Sequence, residues 1–131
     1  MRKAWLGLGL AALGGCNGSV TIPDEPASVY VKVTNHRGRL LQPDRVNWYY
    51  TEESGRFDGV HEATCINDGC SVWAVPVDVT GDIFVSAARS RPFPDDPMCF
   101  FSGYDAETTV ASADHPPIVT LRLDMRTMAC A

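Results

Sequence analysis

The side chains best equipped for chemistry are five cysteines, at positions 16, 65, 70, 99 and 130, and three histidines, at 36, 61 and 115. A thiol can act as a nucleophile, bind a metal or close a disulfide, and its neighbours decide which. Cys65 and Cys70 flank Ile66-Asn67-Asp68-Gly69, a connection of hairpin length with a glycine where a positive φ is wanted. Such a turn sets the two cysteines opposite one another, at a separation a disulfide accepts. His61 offers a third metal ligand, and His61 with Cys65 would share a helix face. The segment lacks helical periodicity, however, and C-x4-C is not the knuckle spacing of a structural zinc site. There is no C-x-x-C, no G-x-S-x-G, no H-E-x-x-H and no glycine-rich phosphate loop. His36 adjoins a turn and His115 precedes Pro116-Pro117, as solvated loop histidines do. The residues therefore predict no catalytic group, no metal and no cofactor.

Cys16 stands apart from the other four. Residues 1–15 have the layout of an export signal, with Arg2 and Lys3 ahead of an apolar run from Ala4 to Leu13. As a helix those ten residues reach only about 15 Å, half a bilayer core, so the run cannot stay as a spanning anchor. Cleavage after Ala12-Leu13-Gly14 would release an ordinary secreted chain. Leu13-Gly14-Gly15-Cys16 instead resembles the lipobox of bacterial lipoproteins. That resemblance implies a diacylglycerol thioether and an N-acyl chain on Cys16, cleavage just before it, and attachment to a membrane. Asn17, where Asp would favour retention at the inner membrane, implies an outer-membrane protein facing the periplasm. Cysteine parity agrees: without Cys16, the exported chain keeps an even number of thiols.

The mature chain from Cys16 loses Arg2 and Lys3, leaving 9 basic residues against 16 acidic ones, a net of −7. Nucleic acid and a polybasic lipid-docking surface are disfavoured, and a cationic partner is compatible. Residues 16–27 form the lipidated cysteine and a Gly/Ser/Pro-containing tether. The stretch from 17 to 27 reaches about 36 Å at most, so the domain works close to its membrane.

From residue 28 to 131 the pattern is alternation. Val29, Val31 and Val33 point one way and Tyr30, Lys32 and Thr34 the other; Val46, Trp48 and Tyr50 share a face; SVWAV and IFVSAA are apolar strands; Val119, Leu121, Leu123 and Met125 alternate cleanly. With turn signals at His36-Arg37-Gly38, Asn67-Asp68-Gly69 and Thr80-Gly81-Asp82, the expectation is all-β: one small antiparallel sandwich of about seven strands. Disulfides stabilise it. If Cys65 pairs with Cys70, Cys99 is left for Cys130, rings worth about 2 and 4 kcal/mol on the chain-entropy model; Cys65–Cys130 with Cys70–Cys99 remains the rival.

VYVKVTNHRGRLLQPDRVNWYY is similar to the opening of transthyretin-like and carboxypeptidase regulatory-like domains, and VWAVPVDVTGDIFVSAARS resembles their later hairpin, with Gly81 and Phe84 in matching places. The resemblance implies a β-sandwich. It carries over no catalytic residue, because the C-terminal Tyr-Arg-Gly-Ser of the hydrolase branch is missing.

One stretch stands out for binding. RPFPDDPMCFFSGYDAE combines three prolines with Phe93, Phe101 and Tyr104 and with Asp95, Asp96, Asp105 and Glu107. It reads as a candidate binding loop, with a calcium site as a variant; the plainer reading has Phe93, Phe100 and Phe101 covering one end of the sandwich and the acids solvated. The functional expectation is a non-catalytic binding or structural module of the cell envelope, its partner a protein or glycan. The alternatives are an inhibitor of a cationic hydrolase such as lysozyme, and a hydrolase with an unrecognised site.

Overall fold

The computed structural model describes residues 22–131; the lipobox and Cys16 lie outside the described residues. Nine strands are present among them: β1 (Val29–Asn35), β2 (Arg45–Tyr50), β3 (His61–Glu62), β4 (Thr64–Cys65), β5 (Val72–Val75), β6 (Gly81–Phe93), β7 (Asp96–Ala111), β8 (Ile118–Leu123) and β9 (Met128–Cys130). They form a five-stranded sheet in the order β9-β7-β6-β2-β3 and a four-stranded sheet in the order β4-β5-β1-β8.

Alternation explains how the sheets meet. Val29, Val31 and Val33 of β1 and Val119, Leu121 and Leu123 of β8 are buried against Val46 and Trp48 of β2 and Ile83, Val85 and Ala87 of β6 in one core. These four strands bury alternate residues, which is the source of the apolar layer between the sheets. Trp48 is held edge-on by Tyr50 and stacked on His61 at 4.4 Å between centroids.

β1 and β8 run parallel, with Val31 beside Val119 and Val33 beside Leu121, which corrects the expectation of a purely antiparallel sandwich. The cause is where β7 ends. It delivers the chain to the starting end of β1, where Ser112 N–H donates to Ser28 O, and after Pro116-Pro117 the N–H of Tyr30 donates to Pro117 O. The next strand can then only run alongside β1 in the same direction. Residues 25–27, read from composition as tether, are drawn into the domain: Ala27 is buried and the Tyr30 hydroxyl donates to the Glu25 carbonyl.

Both expected disulfides are formed, Cys65–Cys70 and Cys99–Cys130, so the rival pairing is overturned. The geometry of the first differs from expectation. Cys65 faces Trp73 in the β4–β5 ladder, and Cys70 lies within the connection with φ 47°, whereas Gly69 is not among the positive-φ residues. Asn67 organises this turn: its Oδ1 accepts from the N–H groups of Ser71 and Val72, and its Nδ2 donates to Ser71 Oγ. Cys99 and Cys130 are the directly opposed pair, 4.0 Å apart at Cα, beside the bond from Ala131 N–H to Met98 O. That is the close, non-hydrogen-bonded position of an antiparallel ladder.

At Gly103 the end of β8 and the segment after it pack tightly on β7. A Cβ there would stand 2.8 Å from Met125 Sδ, 3.1 Å from Leu123 Cβ and 3.4 Å from Asp124 N. Met125 can swing away, but a strand Cβ and a backbone nitrogen cannot. Gly103→Val is expected to cost about 1–3 kcal/mol by overpacking, measurable as a lower urea midpoint; an unchanged midpoint would contradict this packing.

Candidate functional site

The stretch read as a binding loop is mostly strand. β6 and β7 form one long hairpin joined at Pro94-Asp95, with Arg91 opposite Phe101 and a register shift at Pro92/Phe93. β2 begins level with Ala88, so residues 89–103 of the hairpin project beyond its start as an arm. The Asp44 carboxylate accepts from Ser90 N–H at the arm's base, and β9 is stapled to its flank by Cys99–Cys130. The arm lies at the end of the domain opposite the start of β1.

The candidate residues are therefore spread along the hairpin and do not meet in one site. Asp95 and Asp96 are exposed at the tip, Phe93 packs on Phe101 with centroids 5.5 Å apart, and Tyr104 is exposed on the outer face. Asp105 has a structural task. Its Oδ2 accepts from Arg122 N–H and its Oδ1 from Ala106 N–H, so it caps the free edge of β8. Glu107 is exposed. Phe100 is 36% exposed and does not belong to the core. The metal reading of His61, Cys65 and Cys70 also fails: the two sulfurs are bonded to each other, and His61 donates to Asp58 Oδ1 at 2.7 Å.

A different surface gathers more chemistry. On the outer face of the five-stranded sheet, Tyr49 of β2 lies directly opposite Phe84 of β6, and Phe84 opposite Thr108 of β7. The rings of Tyr49 and Phe84 are 5.0 Å apart, and Phe57 meets Tyr49 edge-on at 5.7 Å. The next outward pair is Asp82 with Val110. Two open hollows run together over these residues. One, about 250 Å³, is lined by Tyr49, Phe57, Phe84, Glu52 and Glu53; the other, about 380 Å³, by Asp82, Thr109, Val110 and Glu53; they share Thr51 and Thr108 as well. The result is one trough.

Local chemistry fixes its wall. The turn after β2 is closed by Gly55 N–H donating to Glu52 O, with Gly55 in the left-handed region, and by Ser54 Oγ donating to Thr51 O. Arg56 then reaches back: its guanidinium lies 4.4 Å over the Tyr50 ring and donates to Thr80 O at 2.6 Å. This cation is spent on the scaffold, and it sets Phe57 at the rim. Phe57 is 53% and Val110 60% exposed. Among the described residues no Lys or Arg lines the trough, and neither Glu52, Glu53 nor Asp82 has an ion-pair partner.

Aromatic faces flanked by unpaired carboxylates suit a cation on an apolar stem, through ring quadrupole and ion pairing together. No single stretch of sequence signals this site, because its parts lie on β2, the following turn, β6 and β7. The one available signal was two adjacent tyrosines, of which alternation sends only one inward.

Compared with protein-family models, curated proteins and solved structures, the chain gives no match.

Proposed function

We propose that this protein is a lipid-tethered module of the bacterial envelope that binds a basic protein partner and performs no catalysis. The observation that carries the reading is the trough, with three aromatic rings and three carboxylates. An exposed apolar surface ringed by charge of one sign is what an interaction site requires, and the net of −7 in the mature chain would steer a cationic partner toward it. The transthyretin-like reading is kept as a proposal: β1, β2 and β6 fall where the resemblance sets strands. An inhibitor of a cationic hydrolase is the second reading. What favours it is the projecting, disulfide-linked arm, which presents exposed Asp95 and Asp96 at its tip.

Binding is tested with lysozyme as a defined cationic probe. The full chain should bind it by calorimetry, and affinity should fall as salt rises from 50 to 200 mM, roughly the range over which exposed charges become screened. Salt-independent binding, or none, contradicts the reading. Loss of lysozyme activity in the complex would select the inhibitor form.

The tether has its own test. Cys16→Ser should leave unprocessed precursor or soluble protein in place of a membrane-bound mature form. An unlipidated chain beginning at Gly15 in the wild-type membrane fraction, read by mass spectrometry, would contradict lipidation.

A further inference from the structure

A basic groove lies on the other sheet. On the outer face of the four-stranded sheet, Lys32 of β1 lies beside Thr120 of β8, and Thr34 beside Arg122. The turn after β1 brings His36, Arg37 and Gly38 over the end of this row, and together these residues line an open groove of about 490 Å³.

The turn and the Arg122 side chain are fixed by hydrogen bonds. Asn35 Oδ1 accepts from the N–H groups of Arg37 and Arg39, and Gly38 N–H donates to Asn35 O, which fixes the turn. The Arg122 guanidinium donates to the His36 carbonyl and so ties β8 to that turn. Lys32, Arg37 and Arg122 form no ion pair among the described residues. Two acids stand near, and both are occupied. Asp105 gives one oxygen to each of two backbone N–H groups. Asp124 takes Arg126 Nε at 2.8 Å and Nη2 at 2.7 Å, and those hydrogen bonds hold its carboxyl well below the usual carboxylate range.

We infer that this groove is an oxyanion site, taking a phosphate group between Lys32, Arg37 and Arg122. Lys32 and Arg122 are diagonal neighbours on one sheet face, and like charges so placed repel unless an anion lies between them. Arg122 offers planar donors and Lys32 a point charge, the pair of chemistries that phosphate recognition uses. The size of the groove admits two linked phosphates. The groove runs from the middle of β1 to the turn beyond Asn35, which is about 20 Å along the strand from Val29.

The probe is inorganic pyrophosphate, titrated into the full chain in uncharged detergent while backbone amide shifts are followed. Saturable shifts at Lys32, Gly38, Thr120 and Arg122 are expected. Lys32→Gln with Arg37→Gln should weaken binding by at least about tenfold, since each removes a charge-assisted contact, and Lys32→Arg should retain it. Arg122 is left intact because it holds the turn. An unchanged melting temperature in the double variant separates lost binding from lost folding. Shifts that do not saturate, or that persist unchanged in the double variant, overturn the proposal. Competition by anionic phospholipid vesicles, absent with zwitterionic ones, would assign the phosphate to a lipid headgroup; pyrophosphate binding without such competition would assign it to a soluble phosphate.

Discussion

Leu121→Ala is expected to destabilise the domain by about 3–4 kcal/mol and to lower its melting temperature by more than about 10 °C. Leu121 is fully buried and stands beside Val33 in the parallel β1–β8 pair, at the seam where the second sheet closes over the first. Because β8 is an edge strand, its hold on the domain comes from this apolar row, from its pairing with β1 and from the Asp105 cap on Arg122. Removing the isobutyl group costs both its transfer free energy and the cavity left between two rigid sheets. Phe100→Ala is the internal contrast. Its ring is partly exposed on the arm, so the loss should stay within about 1 kcal/mol, as partly exposed positions usually do. Thermal unfolding of the two variants side by side checks the pair, and equal losses would mean that the arm is part of the core.

The second large effect concerns binding. Glu52→Lys with Glu53→Lys should reduce affinity for lysozyme by about 100-fold or more, because like charge across an interface costs several kcal/mol. Stability should change by no more than about 0.5 kcal/mol, since both residues are exposed in a turn held by its backbone. Phe57→Ala should weaken the same binding without a change in its salt dependence, because it removes ring surface and no charge. Those separate signatures identify which half of the trough each residue serves.

Strands that bury one face were legible from the sequence: the alternating valines of β1, the Val46-Trp48 pair of β2 and the Val119-Leu121-Leu123 row of β8 are buried as their period predicts. β7 was not legible. Its 16 residues begin beside two prolines and carry Gly103, Asp105 and Glu107 on the face shared with Ala87 and Val85, so no apolar alternation marks it. It is a strand because β6 pairs with it along its length, and its Asp105 serves the neighbouring sheet edge through one hydrogen bond. The arm was misread for the same reason, since proline and aspartate favour a loop locally and only the partner strand overrides them. The trough was hidden in a different way. Tyr49 and Phe84 are adjacent only through the β2–β6 register, which no local window contains.

The most direct measurement of the trough's role is an amide shift map of the full chain with lysozyme added. Shifts concentrated at Tyr49, Thr51, Glu53, Phe84, Thr108 and Val110, and lost in the double lysine variant, are expected if the trough is the binding surface. Shifts confined to the arm tip around Pro94 and Asp95, or to the basic groove around Lys32 and Arg37, would contradict it.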